Sequence, residues 1–289
     1  MKDPHRGTVI HPRARPFAGD AYAEEPKQPE SFRKPVTATI DGQSVTVEAG
    51  TTILQAAQIL GIYIPHYCYH PALSMVASCR LCLVEVEKSP KLVPSCSTPV
   101  GEGQVIFTRS DKAKRAREQQ MELLLINHPL DCPVCDQGGH CQLQRYSMDY
   151  GTDDSRYRFP KRTFPKPNLG PFIDLERNRC ILCTRCVRFL EEIAGNAELA
   201  VMKRGNDSLI GTFLERPLQG EFSGNTIDLC PVGSLTDKVF RFRARIWELE
   251  ATPSLCPHCA LGCNILLDSR RRTHELLRIT PRSNPDVNG

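Results

Sequence analysis

Fourteen cysteines in 289 residues, none of them standing alone, constrain this chain more than any other feature. They fall into four groups: Cys68, Cys79, Cys82 and Cys96; Cys132, Cys135 and Cys141; Cys180, Cys183, Cys186 and Cys230; and Cys256, Cys259 and Cys263. Secreted chains pair such cysteines as disulfides. In a reducing compartment, clustered thiols bind metal or carry out redox chemistry. The stretch from Met1 to Pro12 has no apolar run of the kind an export signal needs, and Asp3, Asp20, Glu24 and Glu25 argue against a transit peptide. The expectation is therefore a cytoplasmic chain whose cysteines are ligands.

Charge and hydropathy narrow the classes further. A formal net charge of +4 does not call for a nucleic-acid partner. The basic runs Lys112–Arg117 and Arg270–Arg272 read as solvated faces. No apolar run approaches the ~20 residues that cross a bilayer, so no direct membrane span is expected. Residues 1–35, rich in proline and charge, read as a disordered or extended arm.

The rest divides by pattern into α+β units. In residues 36–110, Val36–Ile40 and Val45–Val47 alternate as strands around Asp41-Gly42, a strong hairpin-turn pair. Thr51 or Thr52 can cap a short helix whose apolar positions are Ile53, Ala56, Ala57 and Leu60, with Gly61 ending it. Leu81–Glu87, Lys91–Cys96 and Gln104–Thr108 read as further strands, which gives the element order of a β-grasp ferredoxin. Residues 111–155 open with a helix to about residue 127, stopped by Pro129, and continue into a cysteine-rich loop. Residues 156–250 begin within a proline-rich connector over 148–172 and hold the third cysteine group. Residues 251–289 begin one more unit.

Each group has its own chemistry. A [2Fe–2S] centre needs two thiolates per iron. Cys79-Arg80-Leu81-Cys82, with Cys68 before it and Cys96 after it, supplies four. The gap of ten residues between Cys68 and Cys79 makes its first loop longer than the four-residue gap of plant-type ferredoxins. A zinc ribbon is the alternative there. The second group joins His128 to Cys132, Cys135 and Cys141, a set that suits either a [4Fe–4S] cube or a Cys3His zinc site. His140 competes with His128, but it adjoins Cys141, and neighbouring side chains can hardly reach the same cube. In the third group, three cysteines within seven residues and a remote Cys230-Pro231 are the signature of a [4Fe–4S] cube. A second cube of the two-cluster ferredoxin type is not expected, because Leu190, Gly220, Ser223 and Thr226 stand where its cysteines would be. Val187, Leu190 and Ile193 fit instead a short packed helix ending at Gly195. The fourth group, Cys256-x2-Cys259-x3-Cys263, offers three thiolates, one fewer than a cube needs, and is a tentative site.

The ordered pattern Cys68-x10-Cys79-x2-Cys82-x13-Cys96, His128-x3-Cys132-x2-Cys135-x5-Cys141, Cys180-x2-Cys183-x2-Cys186-x43-Cys230 resembles the large iron–sulfur subunit in the peripheral arm of respiratory complex I, NADH:quinone oxidoreductase. The resemblance covers roughly residues 36–247, and the tail resembles the truncated start of that family's molybdopterin-oxidoreductase-like region. It implies one [2Fe–2S] and two [4Fe–4S] clusters, with a further [4Fe–4S] cluster at the tail in question. It also implies an electron relay between a flavin- and NADH-binding partner subunit and quinone-side subunits, held peripherally at the cytoplasmic face of the inner membrane through those partners. NAD-reducing hydrogenases and NAD-linked formate dehydrogenases share the three-motif block, and a zinc-stapled scaffold is the reading from another class. No substrate pocket is expected in the chain itself. Gly101-Glu102-Gly103 lacks the third glycine of a dinucleotide loop, and there is no P-loop.

Overall fold

The computed structural model describes residues 34–284, so most of the arm read over residues 1–35 lies outside the described residues. From the start of the described chain, the alternation of Val36–Ile40 becomes β1 (Pro35–Ile40), paired antiparallel with β2 (Gln43–Glu48). Asp41 and Gly42 both take positive φ, 47° and 84°, the conformation a two-residue type I′ hairpin demands. Helix α1 (Ile53–Ile59) starts at Thr52, whose hydroxyl accepts from the Gln55 N–H while the Gln55 side chain reaches back to the Thr52 backbone. This capping box settles the choice between Thr51 and Thr52.

Strands β3 (Leu83–Val86), β4 (Val93–Pro94) and β5 (Val105–Phe107) are shorter than the sequence suggests. The ligand loops consume the missing residues: Cys82 and Cys96 both lie just outside the strands. The sheet runs β2-β1-β5-β3-β4, with β1 and β5 parallel and every other pair antiparallel. Ile40, Val45, Val84 and Ile106 from the sheet close over Ile53, Leu54 and Ala57 of α1. Each fully buried aliphatic side chain contributes about 1.5–3 kcal/mol.

Helix α2 (Asp111–Leu125) is capped by the Ser110 hydroxyl, which accepts from the Ala113 N–H, and Asp111 sits favourably at its positive end. It buries Ala113, Arg117 and Met121 in one stripe. Arg117 departs from the solvated-face expectation: it is 5% exposed, with Nη2 donating to the Thr108 carbonyl at 2.6 Å and its guanidinium over the Tyr150 ring. The proline-rich connector packs back along this helix. Lys161 Nζ donates to the Leu125 and Ile126 carbonyls, so a cation closes the helix's negative end. Helix α3 (Gln142–Tyr150), which the sequence pattern did not reveal, follows directly on Cys141.

The third unit is built of short pieces. They are β6 (Ile173–Leu175), α4 (Arg185–Glu192), the ribbon β7 (Leu199–Met202) with β8 (Leu209–Thr212), α5 (Asn225–Leu229), and β9 (Leu235–Asp237) antiparallel to β6. The expected packed helix ends at Glu192. Leu190 is its buried anchor, whereas Ile193 is 52% exposed. The tail forms an antiparallel three-stranded sheet, β10 (Leu249–Leu255), β11 (Asn264–Arg270) and β12 (Leu276–Pro281).

One core joins the first three units. Tyr67, Cys68, Cys79 and Leu81 from the first pack with Met121, Leu143 and Tyr146 from the second and with Cys183 and Val232 from the third, while Cys141 and Cys230 lie at its edge. Among the described residues no helix is long and apolar enough to cross a membrane.

Candidate metal centres

Cys68, Cys79, Cys82 and Cys96 are buried together at the edge of the first sheet. The Cys68 side chain is hydrogen bonded to those of Cys79 and Cys96, and Cys82 to that of Cys96. The loop that gathers them bends through left-handed backbone at Ala77 (φ 52°) and Arg80 (φ 54°). The Tyr67 N–H donates to Cys79 Sγ at 3.4 Å. Hydrogen bonds from Cys79 and Cys96 hold the Cys68 thiol well below the usual thiol range. The hydrogen bond from Cys96 brings Cys82 down to about 7, against the opposing effect of burial. The hydrogen bond to Cys68 pushes Cys79 up, with burial reinforcing it.

The second group hangs from the end of α2 and the start of α3. His128 lies just past α2, its N–H donating to the Leu125 carbonyl. Burial pushes its imidazole down to about 4, and the Arg179 guanidinium pushes the same way. That leaves a neutral ring at ordinary pH, the form a metal accepts. Cys135 is buried, Cys141 half-buried and Cys132 exposed on a short 3-10 turn. Cys132 and Cys135 are both electrostatic neighbours of Cys141, whose thiol burial pushes up. His140 is exposed, its N–H donating to the Gln137 carbonyl.

In the third group Cys180, Cys183, Cys186 and Cys230 line one apolar cavity with Leu175, Ile210, Val232 and Leu235. Leu182 (φ 52°) and Thr184 (φ 59°) alternate left-handed with their neighbours, and this turns backbone N–H groups toward the sulfurs. The Leu182 N–H donates to Cys180 Sγ at 3.4 Å. Cys230 receives backbone hydrogen bonds from Leu235, Val232 and Ser234. Burial pushes Cys180 to about 12 and Cys183 to about 11. A cavity that penalises four thiolates so strongly calls for a cationic centre to hold them.

The fourth group sits in the loop that joins β10 to β11. The Cys256 N–H donates to the Cys263 carbonyl at 2.9 Å, which closes the loop, while Cys259 and Cys263 are exposed. Its three cysteines share a loop and are more exposed than those of the first and third groups.

The donor sets fit iron–sulfur clusters. All fourteen cysteines are free of disulfides. In the third group the four sulfurs surround a shared cavity. The second and third groups also touch: the Gln142 N–H donates to the Pro231 carbonyl, and a Cβ on Gly233 would overlap Cys135 Sγ. Sequence reasoning did not foresee four arginines at the triad. Arg177, Arg179, Arg185 and Arg188 are all 8% exposed or less, and nothing in their local pattern sets them apart from solvent-facing arginines.

Fold and donors together define a multi-centre iron–sulfur protein of ferredoxin type, and family models agree unit by unit. Residues 33–111 match a 2Fe-2S iron-sulfur cluster binding domain, and 117–156 the NADH-ubiquinone oxidoreductase-G iron-sulfur binding region. Residues 170–236 match the ferredoxin-like domain of NADH-quinone oxidoreductase subunit 3, and 249–289 an NDSU1/NuoG-like 4Fe-4S domain. The chain belongs to the family of the 75/78 kDa iron–sulfur subunits of NADH-ubiquinone oxidoreductase. It is 51% identical over 255 residues to the mitochondrial 78 kDa subunit of that enzyme from Candida albicans, matching 88% of this chain and 35% of the relative. It is also 51% identical, over 253 residues, to the 75 kDa subunit from Reclinomonas americana, matching 88% of this chain and 36% of that one. The chain thus spans about a third of the length of these relatives. A solved chain of an NAD+-reducing [NiFe]-hydrogenase in the H2-reduced state superposes with a TM-score of 0.66 at 31% identity, covering 73% of this chain and 91% of that one.

Proposed function

We propose that this chain is an electron relay of an NADH:quinone oxidoreductase. The observation that carries the reading is the common core in which Cys68 and Cys79, Cys141, and Cys183 and Cys230 pack together. Such packing brings three centres close, and tunnelling requires short separations. Bound iron–sulfur clusters supply one-electron exchange, and the chain supplies ligands, spacing and electrostatic surroundings. Cys68, Cys79, Cys82 and Cys96 hold a [2Fe–2S] cluster in a β-grasp domain over 36–110. His128, Cys132, Cys135 and Cys141 hold a [4Fe–4S] cluster over 111–155. Cys180, Cys183, Cys186 and Cys230 hold another over 156–250. The segment 251–289 is the start of a molybdopterin-oxidoreductase-like region, with Cys256, Cys259 and Cys263 as three ligands of a further [4Fe–4S] centre.

Electrons enter from a flavin- and NADH-binding subunit and leave toward quinone-side subunits. Those partners hold the chain at the cytoplasmic face of a membrane. The hydrogenase likeness supports a second complex for the same relay, at lower identity than the relatives above.

Iron and acid-labile sulfide analysis of anaerobically purified chain, with EPR after reduction, tests the reading. About ten irons with matching sulfide fit one [2Fe–2S] and two [4Fe–4S] centres, and about fourteen fill the fourth group as well. Zinc without sulfide would leave a scaffold and overturn the relay.

A further inference from the structure

Arg188, on α4, is 5% exposed, and it divides its donors between two ligand loops. Nη2 donates to the Cys68 carbonyl at 2.6 Å and to the Cys183 carbonyl at 3.3 Å. Nη1 donates to the Ser74 carbonyl, and Nε to Thr184 Oγ1 at 3.3 Å. One guanidinium therefore grips the backbone of a ligand from the first group, the loop that wraps that group, and the backbone of a ligand from the third.

Its neighbours on α4 extend the grip. Four residues on, the Glu192 carboxylate accepts from the Ser74 N–H at 2.8 Å and from the Ser74 hydroxyl. Three residues back, Arg185 Nη2 donates to the Tyr69 carbonyl at 2.8 Å. Residues 185, 188 and 192 share one helix face. The long gap between Cys68 and Cys79 now has a structural reason: Tyr69 and Ser74, inside it, are the points that α4 holds. A plant-type gap of about four residues is too short to present both.

The charge of Arg188 goes with the grip. Its hydrogen-bond partners are carbonyls and a hydroxyl, and the acidic group on its helix face, Glu192, bonds to Ser74 rather than to the guanidinium itself. Reducing a cluster adds negative charge, and a fixed cation nearby stabilises the reduced form.

We propose that Arg188 is a positioning residue shared by the first and third centres: it fixes the separation of their ligand loops and raises the reduction potential of both. The proposal rests on the ligand assignment of those two groups made above.

The test is an EPR-monitored redox titration of the full chain with its clusters, with pulsed dipolar EPR between the first and third centres. In Arg188→Gln both midpoints are expected to shift negative together, with the second-group centre as internal reference. In Arg188→Lys, which keeps the charge without the planar fork, the midpoints stay near those of the unaltered chain while the distance distribution broadens. A shift confined to one centre, no shift at all, or Lys behaving as Gln in the titration would overturn the shared electrostatic role. If Arg188→Gln fails to assemble, Glu192→Gln and Arg188→Lys carry the test. Glu192→Gln loosens Ser74 and leaves the cation in place, so the distance broadens and the midpoints do not fall. An unchanged distance in both would sink the clamp. An unaltered chain holding zinc and no EPR signal would defeat the relay itself, which separates that failure from this one.

Discussion

Arg179 Nη2 stands 2.9 Å from Asp131 Oδ2, so the residue before Cys180 is paired with the residue before Cys132. Arg179 Nε reaches the same oxygen at 3.0 Å, and Nη1 reaches the Gly233 carbonyl at 3.5 Å. The pair ties the second ligand loop to the third at the point where each begins. The Arg179 side chain is 6% exposed and that of Asp131 is 36% exposed. Removing the partner of a fully buried charge costs about 3–5 kcal/mol, and partial solvation of Asp131 reduces that to about 1–2. Asp131→Asn should therefore lower the thermal unfolding midpoint by several degrees and weaken the second centre first. An unaltered midpoint would mean that water already screens the pair.

Gly233 offers a more selective perturbation. Its missing side chain leaves the space that Cys135 Sγ occupies, and a Cβ there also meets the Gln137 Cβ at 3.0 Å. Gly233→Ala should expel Cys135 from its place, losing the second centre while the [2Fe–2S] spectrum survives. By ligand counts the iron content should fall by about four per chain. Full iron content in this variant would show that the second loop can move away freely.

Much of this was legible in the sequence, and the rest was not for identifiable reasons. Cysteine spacing groups these thiols as the fold does in the first and third groups, because much of each loop is local. The Asp41-Gly42 hairpin and the Thr52 cap were legible for the same reason. Helix α3 escaped notice because it begins at a ligand and carries only Leu143 and Tyr146 as buried anchors. Arg117 falls in a run read as a solvated face, and Arg177, Arg179, Arg185 and Arg188 drew no reading from the sequence, yet each is buried. Loops that wrap clusters leave backbone carbonyls without ladder partners, and long guanidinium side chains fill that need across units. For Arg185 and Arg188 these pairings reach Tyr69 and Cys68, more than a hundred positions away, and no local pattern encodes them.

Backbone strain in the ligand loops gives a third prediction. Arg80 stands between Cys79 and Cys82 at φ 54°, a conformation that costs an L-residue about 1–2 kcal/mol. Arg80→Gly should keep the [2Fe–2S] spectrum and match or exceed the parent's stability by about 1 kcal/mol. Arg80→Pro cannot adopt that φ and should lose the first centre alone. Retention of the cluster by the proline variant would contradict the loop conformation.

His128 carries a fourth. A neutral imidazole in place of an anionic thiolate favours the reduced state, as histidine ligation does in Rieske centres. His128→Cys should keep a cube and lower its potential, by on the order of 100 mV. A redox titration with no shift, or with a rise, would remove His128 from the ligand set and turn attention to His140.

The fifth concerns pH and the wrapping loop of the first centre. Burial pushes the His70 imidazole from its ordinary 6.5 down to about 4, and the guanidinium groups of Arg185 and Arg188 push the same way. The folded protein holds the ring neutral, its Nδ1 accepting from the Ala72 N–H at 3.3 Å. Between those two values the unfolded chain binds the proton that the folded one refuses, so stability rises with pH across that window. The contribution is complete above 6.5 and is lost as pH falls toward 4. Between pH 7.5 and 5.5 the loss amounts to about 1 kcal/mol, allowing for the ring's partial exposure. His70→Gln removes the titrating group and should flatten the unfolding midpoint across that range by the same amount. An identical pH profile in the variant would mean that His70 titrates as a solvated residue, and that the two arginines beside it are screened.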